Sequence, residues 1–283
     1  MRFYIVIPAH NEENYLKLTL NSLVNQTLLP SKIVVVNDNS TDTTQDIISS
    51  FSKEYKWISG LNISSSKEHI PGSKVVNAFY KGLETLDDNY DIICKFDADL
   101  IFPENYLESI ANLFKLNPKI GIAGGLPFIK KHDSWIFEKV ASKNHVRGPL
   151  KAYRKSCFEK IGGIKSSIGW DTLDVLLAQY HGWETTTDKT LHVKHLKPTG
   201  KTYSKTTKHL QGEALYKIRY GLILSTISTL KSAFNRNSFK FFINTLKGYF
   251  KAKKEKAPYL VTKEEGKFIR SFRYKTILKK IYK

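Results

Sequence analysis

Asp97-Ala98-Asp99 sets two carboxylates at i and i+2 where the apolar run Ile92-Ile93-Cys94-Lys95-Phe96 ends. Carboxylates spaced this way at the end of a strand can hold a divalent cation, and a hard cation so held can grip a diphosphate. Taken alone, the triplet reads sooner as a solvated strand-end turn. It has company. Pro8-Ala9-His10-Asn11-Glu12 follows the apolar run Ile5-Val6-Ile7, and Asn37-Asp38-Asn39-Ser40-Thr41-Asp42 follows Val34-Val35-Val36, one helical pattern later.

For these side chains to meet, the runs that precede them must be neighbouring strands. Phe3 to Ile7 and Ile33 to Val36 read as strands, a third lies near 57–63, Ile92 to Phe96 is the next, and Ile120 to Ala123 starts another. Between them the apolar spacing is helical: Leu16, Leu20, Leu23 and Val24; Ile47, Ile48 and Phe51; Val75, Val76, Phe79 and Leu83; Leu107, Ile110, Ala111 and Phe114. Short β-rich runs alternating with helices spell an α/β fold with a mainly parallel sheet. Ser40 or Asp42 is placed to cap the second helix, and Pro103 to open the fourth at its first turn. Open α/β sheets bind ligands at the carboxyl ends of their strands, so the loops after Ile7, Val36 and Phe96 converge on one crevice.

As a set, the three polar segments resemble the family 2 glycosyltransferases of the GT-A fold, which transfer a sugar from a nucleotide diphosphate donor. The resemblance implies a Rossmann-like mixed, mainly parallel sheet flanked by helices over residues 1–200. It also implies roles. Pro8, Ala9 and Glu12 would line the base and ribose, Asp38 would accept a hydrogen bond from the base, and Asp97 would sit towards the ribose. Asp99 would hold Mg²⁺ or Mn²⁺ against the leaving phosphate. Where the family has two acids in the second loop, this chain has Asn37 in the first place and keeps Asp38 in the second. Lys74, in Pro71-Gly72-Ser73-Lys74, stands where relatives carry a basic residue near the donor, or else is a solvated lysine.

Sugar transfer also needs a base, because a hydroxyl attacks poorly unless its proton leaves as the bond forms. The family opens a helix with a Glu-Asp pair and closes it with a Gly-aromatic turn. In Gly169-Trp170-Asp171-Thr172-Leu173-Asp174, Asp171 matches the second member of the pair, and Gly182-Trp183 matches the turn. Asp171 is therefore the candidate base, with a plain helix cap as the alternative. Trp170 replaces the Glu, so a supporting carboxylate is either missing or supplied by another residue, for which Asp174, one helical turn on, is the candidate. His195 matches a His that relatives place near the metal or diphosphate, whereas His192 reads as structural. The segments 148–154 and Ile161-Gly162-Gly163 resemble the stretch that shapes the donor-sugar and acceptor pockets, the second being equally a helix stop. His69, His132 and His145 show no ligand spacing.

The charge of this chain is unevenly divided. Residues 1–196 hold 23 Lys+Arg against 22 Asp+Glu, and residues 197–283 hold 22 against 4, so nearly all of the net +19 sits in the last third. The asymmetry separates a nearly neutral body, 1–200, from a basic C-terminal region, 201–283, that seeks an anionic partner. In that region Leu215, Ile218, Leu222, Ile223 and Ile227, then Phe239, Phe242, Ile243, Leu246 and Phe250, recur at helical spacing, with Lys240, Lys247 and Lys251 to one side of the second stripe. The apolar stretch from Tyr220 to Leu230 is too short to span a bilayer. Basic amphipathic helices of this kind suit the surface of an anionic membrane, or they cover the catalytic body.

Cys94 and Cys157 give neither a disulfide framework nor metal spacing, and the N-terminal apolar run is too short for a signal segment. The expectation is a cytoplasmic enzyme, peripheral on the inner face of the membrane. It would be an inverting, metal-dependent transferase that moves a sugar from a nucleotide-sugar donor, UDP-linked in the first instance, to a hydroxyl of a saccharide or lipid-linked acceptor. Two other classes fit less well. A nucleotidyltransferase acting on sugar phosphates also uses paired carboxylates and a metal, but wants a Gly-rich basic loop where Pro8-Ala9-His10-Asn11 stands. Nucleic-acid binding fits the charge alone: no binding module is recognisable and Lys outnumbers Arg, so no nucleic-acid partner is expected.

Overall fold

The computed structural model describes residues 1–65, 72–199 and 209–281. Its first half alternates as the apolar periods require: β1 (Phe3–Ala9), α1 (Leu16–Val24), β2 (Lys32–Asp38), α2 (Thr44–Glu54), β3 (Ile58–Ile63), α3 (Ser73–Leu83) and β4 (Ile92–Phe96). These four strands pair in parallel, in the order β3-β2-β1-β4. Successive side chains of a strand point to opposite faces. Ile5, Ile7, Ile33 and Val35 therefore pack under Leu16, Leu20 and Ile48 of α1 and α2, while Val6, Val34 and Val36 pack against Val76 and Phe79 of α3. Burial on both faces explains why these strands are near-continuous Ile and Val.

Beyond β4 the sheet becomes mixed. β5 (Leu100–Ile101), α4 (Tyr106–Leu116), β6 (Ile120–Lys131), β7 (Ser134–Phe137), β8 (Leu150–Arg154), α5 (Lys155–Lys160), α6 (Trp170–Tyr180) and β9 (Glu184–His195) follow. The full order is β3-β2-β1-β4-β8-β6-β9-β5, with β7 added to β6. β8 runs antiparallel to β4 and β6, and β9 runs parallel to β6. Most of the strand pairing by length is parallel, as expected. Of two helix starts read from the sequence, the first resolves to one of its two candidates and the second differs. Asp42 rather than Ser40 serves α2, its Oδ1 accepting the Thr44 amide at 3.0 Å, while Ser40 Oγ accepts the Asn11 amide at 3.0 Å. Pro103 stands ahead of α4, where its carbonyl accepts the Tyr106 amide in a preceding turn.

Among the described residues beyond 199 there are four helices: α7 (Leu210–Lys217), α8 (Leu222–Asn235), α9 (Phe239–Lys254) and α10 (Lys263–Ile281). The boundary expected at 200/201 lies outside the described residues. Tyr216, Tyr220, Leu224, Tyr249, Val261 and Ile269 of this region share one hydrophobic cluster with Val6, Phe79 and Tyr153 of the body. α10 lies against α6, where Tyr180 meets Phe268 edge-on and His181 Nε2 is 3.7 Å from Glu265 Oε1. The stripe read as continuous from Leu215 to Ile227 is broken at 218–221, where Arg219 and Gly221 take positive φ. Leu215 is consequently buried, whereas Leu222, Ile223 and Ile227 face solvent. No helix among the described residues is long and apolar enough to cross a membrane.

Candidate active site

The carboxyl ends of β1, β2 and β4 open into a single cleft of about 540 Å³. Pro8, Ala9, Glu12, Asp38, Lys74, Asp97, Asp99, Asp171 and His195 all line it. Residues far apart in sequence meet there because parallel strands deliver their loops to the same edge of the sheet.

The first two loops are tied together. Asn11, at φ +53°, accepts the Thr41 amide on its side-chain oxygen at 2.8 Å, and His10 Nδ1 lies 2.6 Å from the Asp38 carbonyl. Asp38 is buried to 8% exposure, and both of its carboxylate oxygens accept from Ser65, one from the amide at 3.0 Å and one from the hydroxyl at 2.7 Å. Asn37 turns the other way. Its amide donates to Gln45 and Asn62, and its oxygen accepts the Ser40 amide, so it shapes the loop from behind the cleft. An Asn in place of an acid at this position therefore costs the cleft no charge. Glu12 meets Lys197 at 2.5 Å, leaving its other carboxylate oxygen buried without a partner. Burial pushes its carboxyl up, with Lys197 pulling the other way.

The acidic triplet is braced from below. Thr19 of α1 donates its hydroxyl to the Ala98 carbonyl at 2.7 Å and accepts the Leu100 amide at 3.0 Å, while the Asp97 amide donates to the Pro149 carbonyl. Asp97 pairs with Lys95, a lysine buried within an otherwise apolar strand. The short ladder of β5 with β9 sets His195 opposite Leu100. This register brings His195 Nε2 to 3.5 Å from Asp99 Oδ2. Behind the imidazole, Nδ1 lies 3.1 Å from Glu138 Oε2. Glu138 also accepts the Thr199 amide, and Arg147 lies 3.4 Å from it while donating to the Thr199 hydroxyl. Burial alone would lower the His195 pKa, but the Asp99 carboxylate close to Nε2 and the hydrogen bond with Glu138 outweigh it and raise the imidazole to about 9. Burial likewise opposes the ionised Glu138, and the same contacts, with the Thr199 amide, prevail and hold its carboxyl at about 2.

Asp171 stands in the first turn of α6, after Gly169 at φ +74°. Its carboxylate faces the cleft, 3.9 Å from His145 Nε2. Burial pushes this carboxyl up, but the nearby His145 imidazole and the Lys151 charge overcome that and hold it at about 2. Gly148 permits the approach, since a Cβ there would lie 3.0 Å from the Trp170 ring and 3.1 Å from Asp171 Cβ. Trp170 occupies the place of the family's Glu. Its ring is flanked by the ammonium groups of Lys95 at 5.3 Å and Lys151 at 5.6 Å, so the negative face of an indole meets the charges that a carboxylate would meet. Asp174 is not the substitute: it is buried against Lys151 and Tyr153 and does not reach the cleft.

Several lining residues escaped the sequence reading: Ser65, Lys95, Arg147 and Lys197. Lys95 left a signal, because a lysine within a strand buried on both faces needs a partner. His145 showed no ligand spacing and finds Asp171 only through the fold. His192, as expected, is structural and stacks on Phe128 at 4.0 Å. Gly162 and Gly163 are a helix stop, closing α5 with bonds to the Glu159 and Phe158 carbonyls. His69 and Pro71 lie outside the described residues.

Comparison with known proteins gives three findings. Residues 4–163 match the profile described as Glycosyl transferase family 2. The "Probable glycosyltransferase YdaM" of Bacillus subtilis (strain 168) is 38% identical over 97 residues, which are 34% of this chain and 22% of that protein. The chain thus spans about a fifth of the length of this curated relative. Among solved structures, S. aureus TarS 1-349 in complex with UDP-GlcNAc superimposes with TM-score 0.64 at 16% identity, over 97% of this chain and 92% of that one. The mannosyltransferase PcManGT from Pyrobaculum calidifontis, in complex with GDP-Man and Mn²⁺, does so with TM-score 0.56 at 12% identity, over 98% and 80%. At these identities the structural likeness speaks for the fold.

Proposed function

The chain belongs to glycosyl transferase family 2, and on that premise we propose that it is an inverting, metal-dependent transferase using a UDP-linked sugar and a hydroxyl of a saccharide or lipid-linked acceptor. A nucleotide-sugar donor follows from the family; the identity of the nucleotide rests on the likeness to a fold neighbour that holds UDP-GlcNAc. The observation that carries the reading is the meeting of Asp38, Asp97 and Asp99 with Asp171 in one cleft.

In this reading Pro8, Ala9, Glu12, Asp38, Lys74 and Asp97 bind the nucleotide, and Asp38 is held rigid for it by Ser65. Asp171 takes the proton of the acceptor hydroxyl. The oxygen forms its bond to the anomeric carbon on one face while the bond to the diphosphate breaks on the other, the electron pair leaving with the nucleoside diphosphate and the configuration inverting. Asp171 is ionised to receive that proton, because His145 and Lys151 keep its carboxyl low despite burial. Lys95, Arg147 and Lys197 add positive charge around the leaving group.

A divalent cation fits the donor set. Asp99 offers a hard oxygen 3.5 Å from the imidazole nitrogen of His195, at the cleft wall. Among the described residues no cluster of three or more acidic, His or Cys side chains could cage a metal, so an ion here would need phosphate and water to complete its shell. Asp99 and His195 would hold the ion, the Nε2 proton that faces Asp99 leaving on binding while Nδ1 keeps its contact with Glu138, and the bound ion would offset the charge that develops on the departing diphosphate.

The basic region, 201–283, is in this reading a second functional part that covers α6 and keeps the enzyme peripheral on the cytoplasmic face of a membrane, where a lipid-linked acceptor would be met. The stereochemical outcome tests the core of the proposal. Proton NMR of UDP-GlcNAc turned over with Mn²⁺ should show the sugar released or transferred first as the β anomer, and a first-formed α anomer would overturn inversion.

A further inference from the structure

Helix α8 is inside out for a helix that belongs only to a packed core. Its buried positions are Leu224, Ser225, Thr229 and Ala233, mostly small or polar, and the hydroxyls of Ser225 and Thr229 are buried without a partner. Apart from Leu224, its large apolar side chains point away. Ile223, Ile227, Leu230 and Phe234 recur at i, i+4, i+7 and i+11, a single stripe, at exposures of 67, 42, 54 and 82%. The stripe continues round the corner into α9. There Asn237 takes φ +47°, Ser238 caps the helix by accepting the Phe241 amide, and Phe239 stands 70% exposed with its ring stacked on Phe242 at 5.7 Å. An exposed apolar patch of this continuity marks a docking surface.

The patch is also held firmly. α9 crosses α7 at two glycines, where a Cβ on Gly212 would lie 1.7 Å from the Thr245 carbonyl oxygen and one on Gly248 would lie 2.0 Å from the His209 carbonyl oxygen. Tyr249 and Ala252 on the same side of α9 are buried in the core shared with the body. The side of α8–α9 that faces solvent is therefore a preformed surface.

Charge identifies what it faces. Residues 222–256 contain eight Lys or Arg and one Glu, and Lys231, Arg236 and Lys240 are exposed beside the apolar corner. A second copy of the chain docked on this stripe would bring two cationic rims together. An anionic bilayer does the opposite, taking Phe234 and Phe239 among its acyl chains and the lysines among its headgroups. We propose that the α8–α9 corner is a membrane-docking face that inserts Ile223, Ile227, Leu230, Phe234 and Phe239 into the interfacial layer of an anionic phospholipid bilayer. This rests on the reading that the C-terminal region meets a membrane, and it names the face, the depth-bearing residues and the lipid chemistry.

Co-sedimentation of the full chain with vesicles of phosphatidylcholine alone, or of phosphatidylcholine mixed with phosphatidylglycerol, tests it at low and high salt. Binding is expected to the mixed vesicles and not to the neutral ones. Ile223→Ser/Phe234→Ser/Phe239→Ser should weaken binding by about tenfold or more at both salt levels. Lys231→Glu/Arg236→Glu/Lys240→Glu should weaken it by about 100-fold at low salt and far less at high salt. Since Cys94 and Cys157 are buried, Phe234→Cys can carry an environment-sensitive fluorophore in a chain with a single substitution, and its emission should shift to the blue on mixed vesicles. Each variant is compared after it is shown to melt cooperatively and to bind UDP as the unsubstituted chain does. Absence of binding to mixed vesicles overturns the proposal, as does unchanged binding by the serine variant or an unmoved fluorophore. A serine variant that turns a dimer into a monomer in sedimentation equilibrium, without any lipid binding by the unsubstituted chain, assigns the face to a second copy instead. Unchanged binding by the serine variant overturns the docking face alone, whereas absence of binding overturns the membrane reading with it, and neither outcome bears on UDP binding or sugar transfer.

Discussion

Lys151 and Asp174 form an ion pair closed to solvent, with the lysine Nζ 2.6 and 2.8 Å from the two carboxylate oxygens. The same ammonium donates to the Asp171 carbonyl at 2.5 Å, and Tyr153 donates its hydroxyl to Asp174. The first turn of α6, which presents Asp171 to the cleft, is thereby pinned to β8. Removing one partner strands the other charge in the core. Asp174→Asn or Lys151→Met should each cost about 3–5 kcal/mol in urea unfolding, and the double variant Lys151→Met/Asp174→Leu should recover a large part of that. Single variants as stable as the parent would mean that the pair does not hold α6.

Asp171→Asn keeps the shape of the side chain and loses its ability to take a proton. Nucleotide affinity should stay within a few-fold of the parent, while transfer should fall by on the order of 10² or more. Calorimetric titration of UDP and a transfer assay on the same preparation measure the two. Near-normal transfer would return Asp171 to the rank of a helix-start residue.

The same carboxylate sets a pH dependence. Burial raises its pKa, and His145, Lys151 and Arg147 lower it further in the other direction, to about 2. A base so held is ionised over the working range, so loss of activity through its protonation belongs to pH values approaching 2 rather than to the interval of about 5 to 8. Stability has the same sign: the folded value lies below the unfolded one, so the contribution is present above about pH 4 and is lost as the pH falls towards 2. His145→Ala removes one of the lowering contacts and should move the acid limb of donor turnover upwards. An acid limb that does not move in this variant would separate His145 from the base.

The body of the fold was legible because its signals are local. Ile and Val runs alternating with i, i+3, i+4 spacing name β1 to β4 and α1 to α4 within a few residues, and the strand-end rule gathers Glu12, Asp38, Asp97 and Asp99 without any side-chain geometry. What was not legible depends on pairing across the sheet. β7 to β9 have no strand signature of comparable strength, so the neighbours of His195, namely Glu138 and Asp99, emerge only from the β5–β9 register. Asp174 was misjudged for the same reason: the lysine that claims it lies on β8, 23 residues earlier. In the C-terminal helices the apolar spacing is legible within α8 and α9, but the break at 218–221, which separates Leu215 from Ile227, and helix α10 are not.

Asp99→Ala removes the hard oxygen beside His195 while leaving the bracing of the turn by Thr19 intact, since that bracing uses backbone atoms of Ala98 and Leu100. The variant should melt like the parent and bind UDP with an affinity that no longer depends on Mn²⁺. Calorimetric titrations of UDP with Mn²⁺ or with chelator compare the two proteins. An Mn²⁺-dependent affinity equal to that of the parent would remove Asp99 from the cation.

The most direct measurement is the release of nucleoside diphosphate from a panel of UDP-, GDP- and dTDP-sugars in the presence of Mn²⁺. Turnover of one nucleotide class is expected, UDP first, with the nucleoside diphosphate appearing in step with freed or transferred sugar and with both Asp99→Ala and Asp171→Asn suppressing it. A folded, nucleotide-binding protein that releases nothing from any donor, or that yields pyrophosphate or a nucleoside monophosphate instead, would contradict sugar transfer at this cleft.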